Sequence, residues 1–272
     1  MNSIDLPQRF PFRILITGVG KSGSTALYYL ILNALPSETV TLFEPENSKL
    51  ILSENTPSPA LVKSFIPYSD NFSFFEKKIL LVRDPRDNLI SLLLYKPYNI
   101  IGKFFPGEKE KAVQLIRSFI DDIERKESGQ HNISVFSLAE KLDVSPEKRM
   151  GLIIDYLHRN PDVFVMKYED LIDKNLMPLE DYLNVKLNGN LEIPSKFQRV
   201  VRSKKYDNWR SWFTPEDIDY YKPLMSRFME IFGYKCEWEL EHKPKLDPEI
   251  GSLYIRKIIK EAEEIRAKRK LD

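Results

Sequence analysis

The stretch "FRILITGVGKSGSTAL", residues 12–27, joins an apolar run, a glycine-rich turn and the start of a helical pattern. The run "FRILIT" reads as a strand covered on both faces, and Leu27, Leu30, Ile31 and Ala34 then recur at helix spacing, with Pro36 as a stop. A strand that feeds a glycine turn and a helix makes a ready anion site, because backbone N–H groups at the helix start point outward. A nucleoside-triphosphate loop carries a glycine five places before its Gly-Lys pair. Here the pair is Gly20-Lys21 and Leu15 stands five before Gly20, so that pattern fails. What remains is a general anion cradle. Gly20 and Gly23 let the backbone approach a ligand, Lys21 brings a mobile charge, and Ser22, Ser24 and Thr25 bring hydroxyls. The same residues also fit a capped helix with a surface lysine.

Further along the chain, β-rich runs alternate with helical stretches. Strands are expected at Arg13–Thr17, Thr39–Phe43, Lys78–Arg83 and Val163–Lys167, with a weaker one in "ALVKSFI", 60–66. Helices are expected from Pro85, over Glu108–Lys126, Ser145–Arg159 and Thr214–Phe232. The last opens with "TPED", in which Thr214 is the N-cap and Pro215 the first helical residue. This alternation predicts one α/β domain over residues 1–272, with a central parallel sheet flanked by helices. From Ile255 onward, Ile258, Ile259, Ala262 and Ile265 predict an amphipathic C-terminal helix, in a helical extension of about residues 245–272. That helix packs on the body of the protein or on a partner.

Composition limits the function. The 272 residues carry 41 basic and 40 acidic side chains, so bulk charge gives no reason to expect nucleic acid. Cys236 is the one cysteine, which excludes an intramolecular disulfide and points to a reducing compartment. The start "MNSIDLPQRFPF" lacks a signal region and no apolar run approaches membrane-spanning length, so a soluble, cytoplasmic protein is expected. Asn71-Phe72-Ser73 and Asn132-Ile133-Ser134 fit the glycosylation pattern, which matters only in a secreted protein.

"KILLVRDPRDNLISLLLY", 78–95, is the second informative stretch. A strand delivers Arg83 at its carboxyl end, where open α/β sheets bind ligands, and Ser91 follows eight residues later in the next helix. A guanidinium and a hydroxyl at this separation can grip one phosphate. The alternative pairs Arg83 with Asp84 or Asp87 on the surface.

"KSGST" after a strand, followed by "VRDPRDNLIS", resembles the two cofactor signatures of the sulfotransferase family, enzymes that transfer a sulfuryl group from 3′-phosphoadenosine 5′-phosphosulfate (PAPS). "VFVMKYEDLI", 163–172, resembles the family's strand ending in Tyr-Glu-Asp, and "VRSKKYDNWRSWFTPED", 201–217, its late segment with an arginine seven residues before a tryptophan. The resemblance spans residues 13 to about 232 in the expected order and implies a P-loop-like sulfotransferase fold. It further implies that the loop Gly20–Thr25 holds the 5′-phosphosulfate and that Arg83, Ser91 and Arg202 hold the 3′-phosphate, with Lys204 a further cofactor-binding candidate. Tyr168 then lies near the adenine. The expected product is 3′,5′-phosphoadenosine, and no metal is required.

The sequence also departs from the family. Cytosolic members often place a tryptophan just after the first motif; here that place is Ala26. Many use a histidine base, but "VKSFIP" puts Phe65 there, and His131, His158 and His242 fall outside the motifs. "LFEP", 42–45, resembles carbohydrate-directed members, some of which use a glutamate base. Glu44 is therefore the candidate base, with Lys21 and Lys63 as candidate sources of positive charge at the transferring group. A structural glutamate paired with a lysine is the alternative for Glu44. The acceptor is a small molecule, lipid or glycan, and Phe72, Phe74, Phe75, Phe104 and Phe105 are candidates to line its cleft or to form core. A second copy of the chain is a further candidate partner. Two rival functions remain: a P-loop kinase or hydrolase, and a non-catalytic PAPS binder.

Overall fold

The computed structural model of the protein describes residues 12–44, 58–66, 75–103, 106–130 and 132–268. The start of the chain, Asn71-Phe72-Ser73, Pro45, Phe74, Phe104, Phe105 and His131 lie outside the described residues. Two compact units emerge from the chain's contacts, Met1–Arg83 with Gly151–Pro194, and Asp84–Met150 with Ser195–Asp272.

The first unit holds a central five-stranded sheet: β1 (Arg13–Gly18), β2 (Val40–Phe43), β3 (Ala60–Lys63), β4 (Lys77–Val82) and β5 (Phe164–Lys167). Every neighbouring pair is parallel and the order is β2-β3-β1-β4-β5. The architecture is therefore the α/β class with a parallel sheet that the alternating pattern predicts; the bounds of four strands differ from expectation by about one residue, and β3 ends three residues before the expected 66. "ALVKSFI" supplies a strand of full rank beside β1.

Side chains alternate across the sheet. Ile14 and Ile16, Leu61, Ile79 and Leu81, and Met166 turn to one face. There they pack against Leu27, Leu30 and Ile31 of α1 (Ser24–Leu32), Leu171 of α6 (Tyr168–Ile172), and Leu179 and Leu183 of α7 (Met177–Leu183). Leu15, Val62 and Phe75 form a cluster on the opposite face, so Phe75 is core rather than a cleft residue. Burial on both faces is why these strands read as continuous apolar runs.

The second unit contains α2 (Pro85–Lys103), α3 (Lys109–Glu127), α4 (Val135–Lys141), α8 (Trp209–Trp212), α9 (Pro215–Ile231) and α10 (Ser252–Lys268); α5 (Pro146–Arg159) spans the change of unit at Gly151. Thr214 caps α9 as expected, in a full capping box with Asp217. The C-terminal helix packs along α2 through Ile255, Ile258 and Ala262, whereas Ile265 remains exposed. Arg256 of α10 pairs with Glu124 of α3 at 2.7 Å. Among the described residues, no helix is long and apolar enough to cross a membrane.

Candidate functional site

All five strands run in one direction, so their carboxyl ends share one edge of the sheet. From β1 the chain moves toward β2, and from β4 it moves the opposite way, toward β5. A crevice opens at such a switch of direction. The turn after β1 lies there. Ser22 donates its hydroxyl to the Val19 carbonyl at 2.8 Å and its N–H to the same oxygen at 3.3 Å, so this buried hydroxyl shapes the turn. Lys21 has a φ of 68° and Gly23, the N-cap of α1, a φ of 95°. Gly23 has no side chain with which to cap the helix, and helix geometry leaves the N–H groups of Ser24 and Thr25 without an intrahelical partner. Their hydroxyl side chains are largely buried at the helix start.

Arg83, at the end of β4, meets this turn. Gly18 pairs in register with Leu81, which brings the residues beyond each strand alongside one another. Arg83 is buried and donates Nη1 to the Lys21 carbonyl at 3.2 Å, and its guanidinium sits 4.2 Å from the ring centre of Tyr168 at the end of β5. Its Nε is buried without a hydrogen-bond partner among the described residues. Tyr168 also covers Gly23, where an added Cβ would stand 2.4 Å from its ring. Gly23 is thus required twice, for its positive φ and for this approach. Lys21, Gly23, Arg83 and Tyr168, drawn from three separate stretches of sequence, converge on one point. Asp84 instead forms an ion pair with Arg86 at 2.6 Å, and Asp87 accepts from the Trp209 N–H at 3.1 Å.

At the carboxyl ends of β2 and β3, Lys63 donates Nζ to Glu44 Oε1. The Lys63 side chain is only 1% exposed, against 38% for Glu44. Nζ also lies 4.5 Å from the centre of the Phe43 ring and 4.4 Å from that of Phe65. Burial pushes the Lys63 ammonium below its ordinary pKa, and the charge and hydrogen bond of Glu44 oppose that shift. Glu44 adopts a φ of 47°, and its N–H donates to the Lys63 carbonyl at 2.9 Å. Phe43 and Phe65 are the residues that sequence reasoning passed over here. The pairing of Phe43 with Lys63 belongs to the parallel register of β2 with β3, which nothing in the sequence states.

Ser91, Arg202 and Lys204 belong to the second unit. Ser91 is buried on α2; Arg202 is buried and donates Nη1 to the Ile250 carbonyl at 3.3 Å; Lys204 is exposed.

No family model matches the chain, and no curated protein matches it. Among solved structures, the crystal structure of mouse sulfotransferase SULT7A1 complexed with PAP is similar, at 15% sequence identity and a TM-score of 0.43, over 81% of this chain and 85% of that one.

Proposed function

We propose that this chain is a sulfotransferase that moves a sulfuryl group from PAPS to a hydroxyl or amine acceptor. The supporting observation is the convergence of the turn after β1, Arg83 and Tyr168 at the carboxyl ends of β1, β4 and β5. An uncapped helix start, a buried guanidinium with an unpartnered Nε and a nearby lysine suit a phosphate-bearing ligand. The four sequence motifs choose PAPS among such ligands, and on that resemblance alone Ser91 and Arg202 join as ligands of the 3′-phosphate, and Lys204 as a further cofactor-binding residue.

When bound, PAPS supplies an activated sulfuryl group on a phosphate leaving group. Glu44 takes the acceptor's proton as the acceptor atom bonds to sulfur and the sulfur–oxygen bond to the phosphate breaks. Lys21 and the N–H groups of Ser24 and Thr25 stabilise the charge that collects on the departing phosphate. The products are the sulfated acceptor and 3′,5′-phosphoadenosine.

Calorimetric titration tests the reading. The wild-type chain is expected to bind 3′,5′-phosphoadenosine. Removing a charged phosphate contact costs about 1.5–3 kcal/mol, so Arg83→Ala should bind roughly ten- to a hundredfold more weakly. Stabilisation by Mg·ATP but not by 3′,5′-phosphoadenosine would overturn it in favour of a kinase or hydrolase.

A further inference from the structure

We propose that the head of the C-terminal helix α10 positions Arg202 for the 3′-phosphate, so that residues 250–254 are part of the cofactor-binding apparatus. The proposal rests on the PAPS reading above and deepens it. Two hydrogen bonds tie the Arg199–Arg202 segment to α10 and to the turn that leads into it. The Arg202 guanidinium donates Nη1 to the carbonyl of Ile250, the last residue of the 3-10 turn Pro248–Ile250, at 3.3 Å. The buried hydroxyl of Tyr254, in the first turn of α10, donates to the Arg199 carbonyl at 2.9 Å. One tie holds the main chain three residues before Arg202, and the other holds the arginine's own head group. A guanidinium is a rigid planar fork, so fixing one nitrogen sets the direction of the others.

The head of α10 is itself held in place. Glu127, the last residue of α3, accepts from the Ser252 N–H at 2.7 Å and from the Ser252 hydroxyl at 2.6 Å. That carboxylate lies so close that a Cβ on Gly251 would stand 2.1 Å from its Oε1, so any side chain there would push Glu127 out of this position. Asp247 caps the preceding turn through the Glu249 N–H at 3.0 Å. The path therefore runs from α3 through Glu127 and Ser252 to the Ile250 carbonyl, and from there to Arg202. The apolar face of α10 is buried separately from these contacts, through Ile255, Ile258 and Ala262. Glu127, Ser252 and Tyr254 are accordingly positioning residues. They act on the cofactor through Arg202.

The test compares affinity for 3′,5′-phosphoadenosine with affinity for adenosine 5′-monophosphate, which lacks the 3′-phosphate, by calorimetry. Tyr254→Phe and Glu127→Gln, both close in shape to the native residues, are measured with Arg202→Ala as reference and Lys260→Ala, on the exposed side of α10, as control. Tyr254→Phe and Glu127→Gln are each expected to weaken 3′,5′-phosphoadenosine by about three- to tenfold, leaving the monophosphate within about twofold of wild type. Lys260→Ala should change neither. A merely structural role would weaken both ligands together, and that result overturns the proposal. Wild-type affinity in both variants while Arg202→Ala loses 3′-phosphate discrimination also overturns it, and leaves the PAPS reading standing. A wild-type chain that does not prefer 3′,5′-phosphoadenosine overturns the PAPS reading and this proposal together.

Discussion

A buried ammonium group stays charged only where a counter-charge or the face of a ring replaces its lost hydration. Lys63 has both, in the Glu44 carboxylate and the Phe43 and Phe65 rings. The pairing bears on the part given to Glu44, because one oxygen of this carboxylate already accepts from Lys63. The left-handed backbone at Lys21 and Glu44 is costly for non-glycine residues, and both fall at the carboxyl edge of the sheet. Variants of the pair separate the roles. With saturating PAPS and a working acceptor, Glu44→Gln should lower turnover by about 10²–10⁴ while affinity for 3′,5′-phosphoadenosine stays near wild type. Lys63→Met replaces the cation with an apolar side chain of similar length. It removes the donor that holds Glu44 Oε1, so turnover should fall while affinity for 3′,5′-phosphoadenosine stays near wild type. Near-normal turnover in Glu44→Gln assigns the pair to architecture and the base to another group.

Among the elements, the junction of α4 with α9 is organised by one carboxylate. Asp217 is fully buried and accepts from the N–H groups of Val135, Phe136 and Thr214, each at 2.8 Å, and from the Thr214 hydroxyl at 3.1 Å. It completes the capping box of α9 and caps the start of α4 as well. Replacing it strands several buried donors at once, each worth about 1–3 kcal/mol, so Asp217→Ala should destabilise the protein by at least about 3 kcal/mol. Urea denaturation measures the loss; a midpoint close to wild type would show that water or neighbouring groups take over these donors. The local half of this arrangement was legible in "TPED", because a capping box is written within four residues. The other half was not, because nothing near Val135 in sequence points to a carboxylate 82 residues away. The same distinction between local and distant partners holds elsewhere in the fold. The strands announced themselves as continuous apolar runs and the long helices by period, whereas α4 and α7, at 7 residues each, offer too few turns to show one. Arg83 and Lys21 could be named from motifs. That Tyr168 closes over both Gly23 and Arg83, and that Lys63 sits between two rings, follows only from strand order.

Across the whole molecule, buried ionisable groups set how stability depends on pH. Lys126, at the end of α3, is 1% exposed and donates Nζ to the Ile133 carbonyl at 2.7 Å. Burial lowers its pKa to about 8, with the Asp217 charge opposing the shift. In the unfolded chain a lysine keeps its proton to about pH 10.4, so between these values the unfolded state binds more protons and stability rises with pH. The lowered Lys63 acts in the same direction. Buried Tyr221 and Tyr254, whose phenols are raised by burial, act the opposite way, but only above about pH 10, where unfolded tyrosines begin to ionise. The window from pH 8 to 10 is therefore where Lys126 stands out, with an expected gain on the order of 2 kcal/mol. Lys126→Met keeps the apolar stem and removes the titrating group, so its stability should be flatter across that window. Urea denaturation at half-unit steps of pH provides the check. Parallel curves for the two proteins would mean that the ammonium keeps its proton in the fold, held by Asp217 and the Ile133 carbonyl more strongly than its burial opposes.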